Sequence, residues 1–185
     1  SFLLMRDVLC AEKLNHEIFR LGLWHCDLNS YLDPEYYTLP NADYFNILSR
    51  SALISILMLD DTPEKAGYLA AFSKFCSRNL GWETPGWMGG IKPDGCAYHH
   101  WGHYPSYFFG GMNGGTIILF AYAGSPWALS PEAAANLKRA LQAAFIYGNP
   151  ALAVSLEGRV PFRKLAVDGM ISECFKLYGL TGDRE

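Results

Sequence analysis

The chain repeats one local instruction three times: Asp33-Pro34-Glu35, Thr62-Pro63-Glu64 and Ser130-Pro131-Glu132. Each places a side-chain oxygen where it can cap free N–H groups. A proline follows at the first helical position, where a missing N–H does no harm, and then an acid that favours the positive end of the helix. Apolar residues recur at helical spacing behind two of these starts. After Thr62 they are Ala66, Leu69, Ala70, Phe72, Cys76 and Leu80; after Ser130 they are Ala134, Leu137, Leu141, Ala144 and Phe145. Behind Asp33 the chain meets Pro40 within two turns, so any helix there is short. Residues 44–59 are apolar almost all round, the pattern of a helix buried between neighbours. The first twenty residues predict a further helix, and residues 165–180 another, with Gly179 near its end as a stop. Residues 116–123 have a strand-like composition but stand between helices, and a short helix is expected there. Strand signals are scarce, so the fold class is all-α.

Residues 81–115 break this pattern. They hold Trp82, Trp87, Trp101, Pro85, Pro93, Pro105, a cluster of glycines and three of the five histidines. A long aromatic loop inside a compact helical domain is uncommon and usually functional. No linker or charge run divides the 185 residues, so residues 1–185 are read as a single domain. The formal net charge of −3 offers no broad basic field for nucleic acid. A polyanion would have to be held by locally placed Arg and Lys. No apolar run is long enough to span a bilayer. The five cysteines form no CxxC pair, which argues against a zinc ribbon and for buried free thiols. The opening Ser1-Phe2-Leu3-Leu4 reads as already inside a helix, so a longer parent chain is expected.

The densest chemistry lies at Asp94-Gly95-Cys96-Ala97-Tyr98-His99-His100-Trp101-Gly102-His103-Tyr104-Pro105-Ser106-Tyr107. Imidazoles and phenols can exchange protons, and aromatic faces suit sugar rings. A second group, Glu157-Gly158-Arg159-Val160-Pro161-Phe162-Arg163, carries two guanidinium groups able to converge on a carboxylate or sulfate. Together they suit β-elimination beside a uronic acid. A base removes the C5 proton, a cationic or hydrogen-bonding clamp stabilises the charge spreading into the carboxylate, and an acid protonates the leaving oxygen.

The run Gly90-Ile91-Lys92-Pro93-Asp94-Gly95, with Ala97, His100, Gly102, Tyr104-Pro105 and Tyr107, resembles the catalytic segment of the chondroitin ABC lyases, in the polysaccharide lyase family that includes chondroitin AC and hyaluronate lyases. The resemblance continues through Ala144, Ile146-Tyr147, Asn149-Pro150, Gly158-Arg159 and Pro161-Phe162. Upstream it takes in Asp43-Tyr44, Asn46, Leu48-Ser49-Arg50 and Phe72-Ser73. It implies part of an incomplete (α/α) toroid of helical hairpins. It implies catalytic roles for His100, Tyr107 and Arg159: Tyr107 as base and acid, His100 and Arg159 at the uronate carboxylate. Arg163 falls where relatives place a second Arg. Trp101, His99 and His103 are the further substrate-binding candidates, at positions that differ within the family. The family's catalytic Glu belongs to a following β-sandwich domain, a partner from the same parent chain that this sequence does not include. A His tied to iduronate substrates would precede Ser1.

The resulting expectation is a lyase of uronate-containing glycosaminoglycans (chondroitin or dermatan sulfate, with hyaluronan open). It is expected to be secreted or periplasmic by family resemblance, with no cofactor and no resident metal; cation assistance stays open. The isolated fragment is expected to show weak or no activity. The rival is a non-catalytic carbohydrate-binding helical domain or an inactive remnant. A metal cluster of His99, His100 and His103 is a further alternative, opposed by Gly102 and Pro105, which disfavour the helix that an i, i+4 ligand pair needs. Trp101 either stacks on sugar or closes the loop.

Overall fold

The computed structural model describes residues 2–33, 43–81, 83–148 and 171–181. Among them the fold is helical apart from one small sheet. A 3-10 turn (Phe2–Met5) leads into α1 (Arg6–Ala11) and α2 (Asn15–His25), followed by a second 3-10 turn (Leu28–Leu32). A π-turn (Tyr44–Leu48) runs into α3 (Ser49–Leu57), then α4 (Pro63–Gly81). The sheet is β1 (Gly90–Ile91), β2 (Ala97–His99) and β3 (Gly102–His103), antiparallel in that order. Helices α5 (Pro105–Tyr122), α6 (Pro131–Gly148) and α7 (Ile171–Thr181) complete it. The starts at Pro63 and Pro131 are those the sequence announces, and Ser130 Oγ accepts from the Ala133 N–H at 3.3 Å as a cap. The third signal, at Asp33, leads into residues outside the described ones. No helix among the described residues is long and apolar enough to cross a membrane.

Two expectations need correction. The first twenty residues do not form one helix. Lys13 takes a left-handed φ of 57°, and the N–H groups of Leu14 and Lys13 bond back to the carbonyls of Leu9 and Cys10. This is the Schellman closure of a helix, with Lys at the position glycine usually marks, so the usual signal was missing. Residues 81–115 are not one loop either. The sheet occupies their middle and α5 begins at Pro105, so the short helix expected at 116–123 is the far half of a longer one.

The glycines that read as helix breakers in α5 serve packing instead. A Cβ on Gly114 would collide with the backbone carbonyl of Phe45, and one on Gly110 would collide with the Asn46 side chain. Helix α5 therefore lies directly against the π-turn. That turn is held from below by aromatic packing: the Tyr31, Tyr44 and Phe75 rings lie with centroids 4.6 Å (Tyr31–Phe75) and 5.0 Å (Tyr44–Phe75) apart. Tyr31 donates to the Cys26 carbonyl at 3.1 Å, so the 2.5 Å contact between the two phenols has Tyr44 as donor. Burial holds the Tyr44 phenol far above its ordinary range. Phe72, Ile56, Leu28, Ile118 and Leu137 fill the centre with almost no exposure. Of the five free thiols, Cys26 and Cys76 are buried as expected, while Cys10, Cys96 and Cys174 are half-buried.

Helix α6 fixes the sheet to the helical body. Asn136 Nδ2 donates to the carbonyls of Leu80 (3.1 Å) and Gly81 (2.8 Å), closing the end of α4. Arg139 donates to the Pro93 carbonyl at 3.1 Å and pairs with Glu83. Gly95, at φ 83°, brings the β1–β2 turn so close that a Cβ would lie 2.7 Å from the Arg139 carbonyl oxygen.

Replacing Gly114 with Ala should therefore lower stability by about 1–3 kcal/mol, the usual range for overpacking. Gly67→Ala in α4 is the control: it meets open space and should raise stability by roughly 0.5–1 kcal/mol through helix propensity. Urea unfolding of the two variants checks the sign of each change.

Candidate active site

The sheet and the first turn of α5 bring the expected proton-transfer groups together. The Tyr104 N–H bonds to the Ala97 carbonyl at 3.2 Å, tying the start of α5 to β2. Pro105 follows at the first helical position, so Tyr104 is the N-cap and Tyr107 lies one turn along the same face. Strand β2 then lays His99 beside that face.

The connection between β2 and β3 is a two-residue turn, because His99 pairs with Gly102. Its central residues are His100 (φ 48°) and Trp101 (φ 67°). Both φ values are positive, as in the type I′ hairpin turn that Asn-Gly sequences normally fill. Two bulky L-residues there are strained. The strain has a geometric consequence. Successive side chains on a strand face opposite sides, yet the left-handed His100 keeps its ring 3.8 Å from that of His99.

Four rings thus form one cluster. His99 lies 4.8 Å from Tyr107 between centroids, and His100 lies 5.6 Å from Tyr107, edge-on at 85°. Tyr104 packs edge-on against Tyr107 at 4.9 Å and His100 at 5.6 Å. Exposure is graded through the cluster. His99 and Tyr104 are buried, Tyr107 is half-buried and His100 is exposed. Behind His99, Asp43 from the start of the π-turn brings Oδ2 to 3.0 Å from His99 Nε2. The sequence reading gave Asp43 no role. Its signal was faint: it stood only among the positions that carry the resemblance.

The other candidates sit elsewhere. His103 lies on the opposite face of the sheet from His99, across from Tyr98, whose ring is 6.4 Å from its own and 6.3 Å from Trp87. Burial holds the His103 imidazole below its ordinary pKa, against a smaller opposing effect of Asp94. Trp101 projects into solvent with 78% exposure. Arg159 and Arg163 lie outside the described residues. Lys92 is a support that sequence reasoning passed over. It is buried, donating to the Thr84 carbonyl (3.1 Å) and hydroxyl (3.0 Å), with its ammonium 4.6 Å over the Tyr98 ring. Burial lowers its pKa. This cage braces β1 and, through Tyr98, the back of the histidine strand.

An L-residue in the left-handed region costs roughly 1–2 kcal/mol, and Trp101 returns little of that through burial. Trp101→Gly should therefore raise stability by about 1 kcal/mol and shift the thermal midpoint upward. A lower midpoint would show that the indole packs against the body of the protein.

With this geometry in place, comparisons with known proteins agree in one direction. The family model described as "Lyase, catalytic" matches residues 1–185. The chain is 32% identical to the chondroitin sulfate ABC endolyase of Proteus vulgaris over 164 residues, covering 88% of this chain and 16% of that protein. It is 35% identical to the chondroitin sulfate ABC exolyase of Bacteroides thetaiotaomicron over 163 residues, 87% of this chain and 16% of that protein. A chondroitin sulfate ABC exolyase of Proteus vulgaris matches over 122 residues at 32% identity, 65% of this chain and 12% of that protein. The chain thus spans about a sixth of the length of the first two relatives. It belongs to the lyase catalytic-domain family.

Proposed function

We propose that this chain supplies the proton-transfer part of an active site that cleaves uronate-containing glycosaminoglycans by β-elimination, leaving a 4,5-unsaturated uronate. The observation that carries the reading is the meeting of His100 and Tyr107, seven positions apart, with ring centroids 5.6 Å apart in one partly exposed cluster. Tyr107 is the base that takes the C5 proton and the acid that returns a proton to the leaving oxygen. Its phenol stands in the first turn of α5, where free N–H groups and the helix end favour negative charge. The same field favours a uronate carboxylate and the charge that spreads into it during proton abstraction. His100, exposed on its turn, reaches that carboxylate from the sheet side. Arg159 is assigned to the same carboxylate, and Arg163 to substrate binding, on the family resemblance. Trp101 offers a flat face to a neighbouring sugar ring.

Chondroitin and dermatan sulfate are the substrate class this reading favours, in keeping with the names of the relatives. Assembly of the helices into an incomplete toroid, completion of the cleft by a β-sandwich domain, and a secreted or periplasmic location belong to the same proposal. Such polymers are too large to meet the enzyme inside a cell.

The test is the ultraviolet absorbance of the unsaturated product when full-length protein meets chondroitin sulfate. Tyr107→Phe keeps the ring and removes the exchangeable proton. Its kcat should fall by at least about 10²-fold, the lower end of what general acid–base catalysis supplies, while substrate affinity changes little. Retained turnover would remove Tyr107 from its role. Binding with no absorbance rise in the unmutated protein would instead support the carbohydrate-binding reading.

A further inference from the structure

We propose that Trp87 and Tyr98 form a stacking subsite for a sugar ring that neighbours the one being cleaved, with Lys92 as its positioning residue. The subsite rests on the reading of this chain as part of a uronate-polysaccharide lyase; its own chemistry involves none of the proton-transfer groups.

Trp87 is 67% exposed, yet the turn that carries it is clamped at both ends. The Met88 N–H bonds to the Pro85 carbonyl at 3.2 Å, closing a four-residue turn with Gly86 at φ 52° and Trp87 at its second corner. Buried Lys92 donates to both flanks of that turn. On one side it reaches the Thr84 carbonyl at 3.1 Å and hydroxyl at 3.0 Å; on the other it reaches the Met88 carbonyl at 2.5 Å. The Thr84 N–H bonds to the Ile91 carbonyl at 3.1 Å and joins the turn to β1. Taking an ammonium out of water is costly unless its hydrogen bonds are replaced. Three oxygens replace them here, and the side chain that the arrangement holds in place is an indole left in solvent.

The indole does not stand alone. Its ring centroid lies 6.3 Å from that of half-buried Tyr98, with 43° between the planes. The Lys92 ammonium sits 4.6 Å over the same Tyr98 ring, so one cation sets the position of both aromatics. Two flat faces at an open angle make a shelf on which a pyranose can lay its C–H face while its hydroxyls and acid groups stay in water. Trp and Tyr suit this because each joins a rigid apolar body to a polar edge and loses little conformational freedom on binding.

Register places the shelf. Strand β1 runs antiparallel to β2, with Gly90 opposite Tyr98. The residues before Gly90 therefore lie at the end of the sheet that carries His100 and Trp101. The shelf is on the reverse face of the hairpin from Tyr107, and a polymer bound at Tyr107 reaches it by passing over that end. Neither aromatic ring carries charge, and the Lys92 ammonium is committed to its oxygens. The shelf thus reads the sugar ring and not its sulfate groups.

The test uses full-length protein carrying Tyr107→Phe, titrated calorimetrically with chondroitin oligosaccharides. Adding Trp87→Ala should weaken binding about two- to tenfold, the size of one aromatic contact, and Trp87→Phe should recover most of the loss. The loss should be equal for sulfated and unsulfated sugars and should persist at high salt, where ionic contacts are screened. With Tyr107 intact, it should fall on KM rather than kcat, the mark of an interaction equal in ground and transition states. Lys92→Met should weaken binding while Trp87 is present and add nothing to Trp87→Ala, a coupling that general destabilisation does not produce. If Lys92→Met does not fold, the two variants at exposed position 87 decide the matter. Unchanged affinity in Trp87→Ala would overturn the subsite, and a lower thermal midpoint alongside it would show the indole covered by another part of the parent chain. A loss confined to sulfated sugars, or abolished by salt, would overturn stacking as its basis. Oligosaccharide binding that depends on Trp87, with no unsaturated product from protein that retains Tyr107, would sink the proposed lyase and leave the shelf standing.

Discussion

Helix α5 reaches the π-turn because Gly114 has no side chain to hold it away from the Phe45 carbonyl. Everything at the candidate site depends on that approach. Asp43 stands at the start of the π-turn and Tyr107 in the first turn of α5, so the spacing of the two backbones sets how far apart their side chains are. A single methyl group there would push the carboxylate and the phenol apart. His99 fills the space between them, 3.0 Å from the carboxylate and with its ring 4.8 Å from that of Tyr107. The contact that orders the site is thus made by an absence of side chain two turns away from it.

The sheet contributes a different kind of constraint. Its three strands are too short to be stable alone. They are held by Arg139 and Gly95 against α6, and by Lys92 against the segment before β1. That external support lets the β2–β3 turn carry two strained residues. Strained, exposed side chains on a clamped turn are a recurring arrangement at sites where geometry matters more than local stability. His100 and Trp101 are aimed by a backbone they would not choose for themselves.

Much of this was legible in the residues. The start signals at Thr62-Pro63 and Ser130-Pro131, with apolar spacing behind them, announced α4 and α6, because such signals act locally. The density of His and Tyr between 94 and 107 pointed to the candidate site, and the structure brings His99, His100, Tyr104 and Tyr107 together there. What stayed hidden was set at long range. The glycines of α5 look like breakers until Phe45 and Asn46 are seen against them, and tertiary contact then overrides propensity. Lys13 closes a helix in a conformation usually marked by glycine. Asp43 was opaque for the same reason: fifty-six positions separate it from His99, and no local pattern joins them.

The division of labour among the three histidines of the segment follows from strand alternation and one exception to it. Tyr98 and His103 share one face of the hairpin, and His99 takes the other. Regular alternation would send His100 back to the Tyr98 face, away from Tyr107. The left-handed turn instead keeps it with His99. The same exception that gives Tyr107 an exposed imidazole neighbour also creates a pair of nitrogens above a carboxylate. The hairpin thus carries two imidazoles on one face, beside the Asp43 carboxylate and the Tyr107 ring.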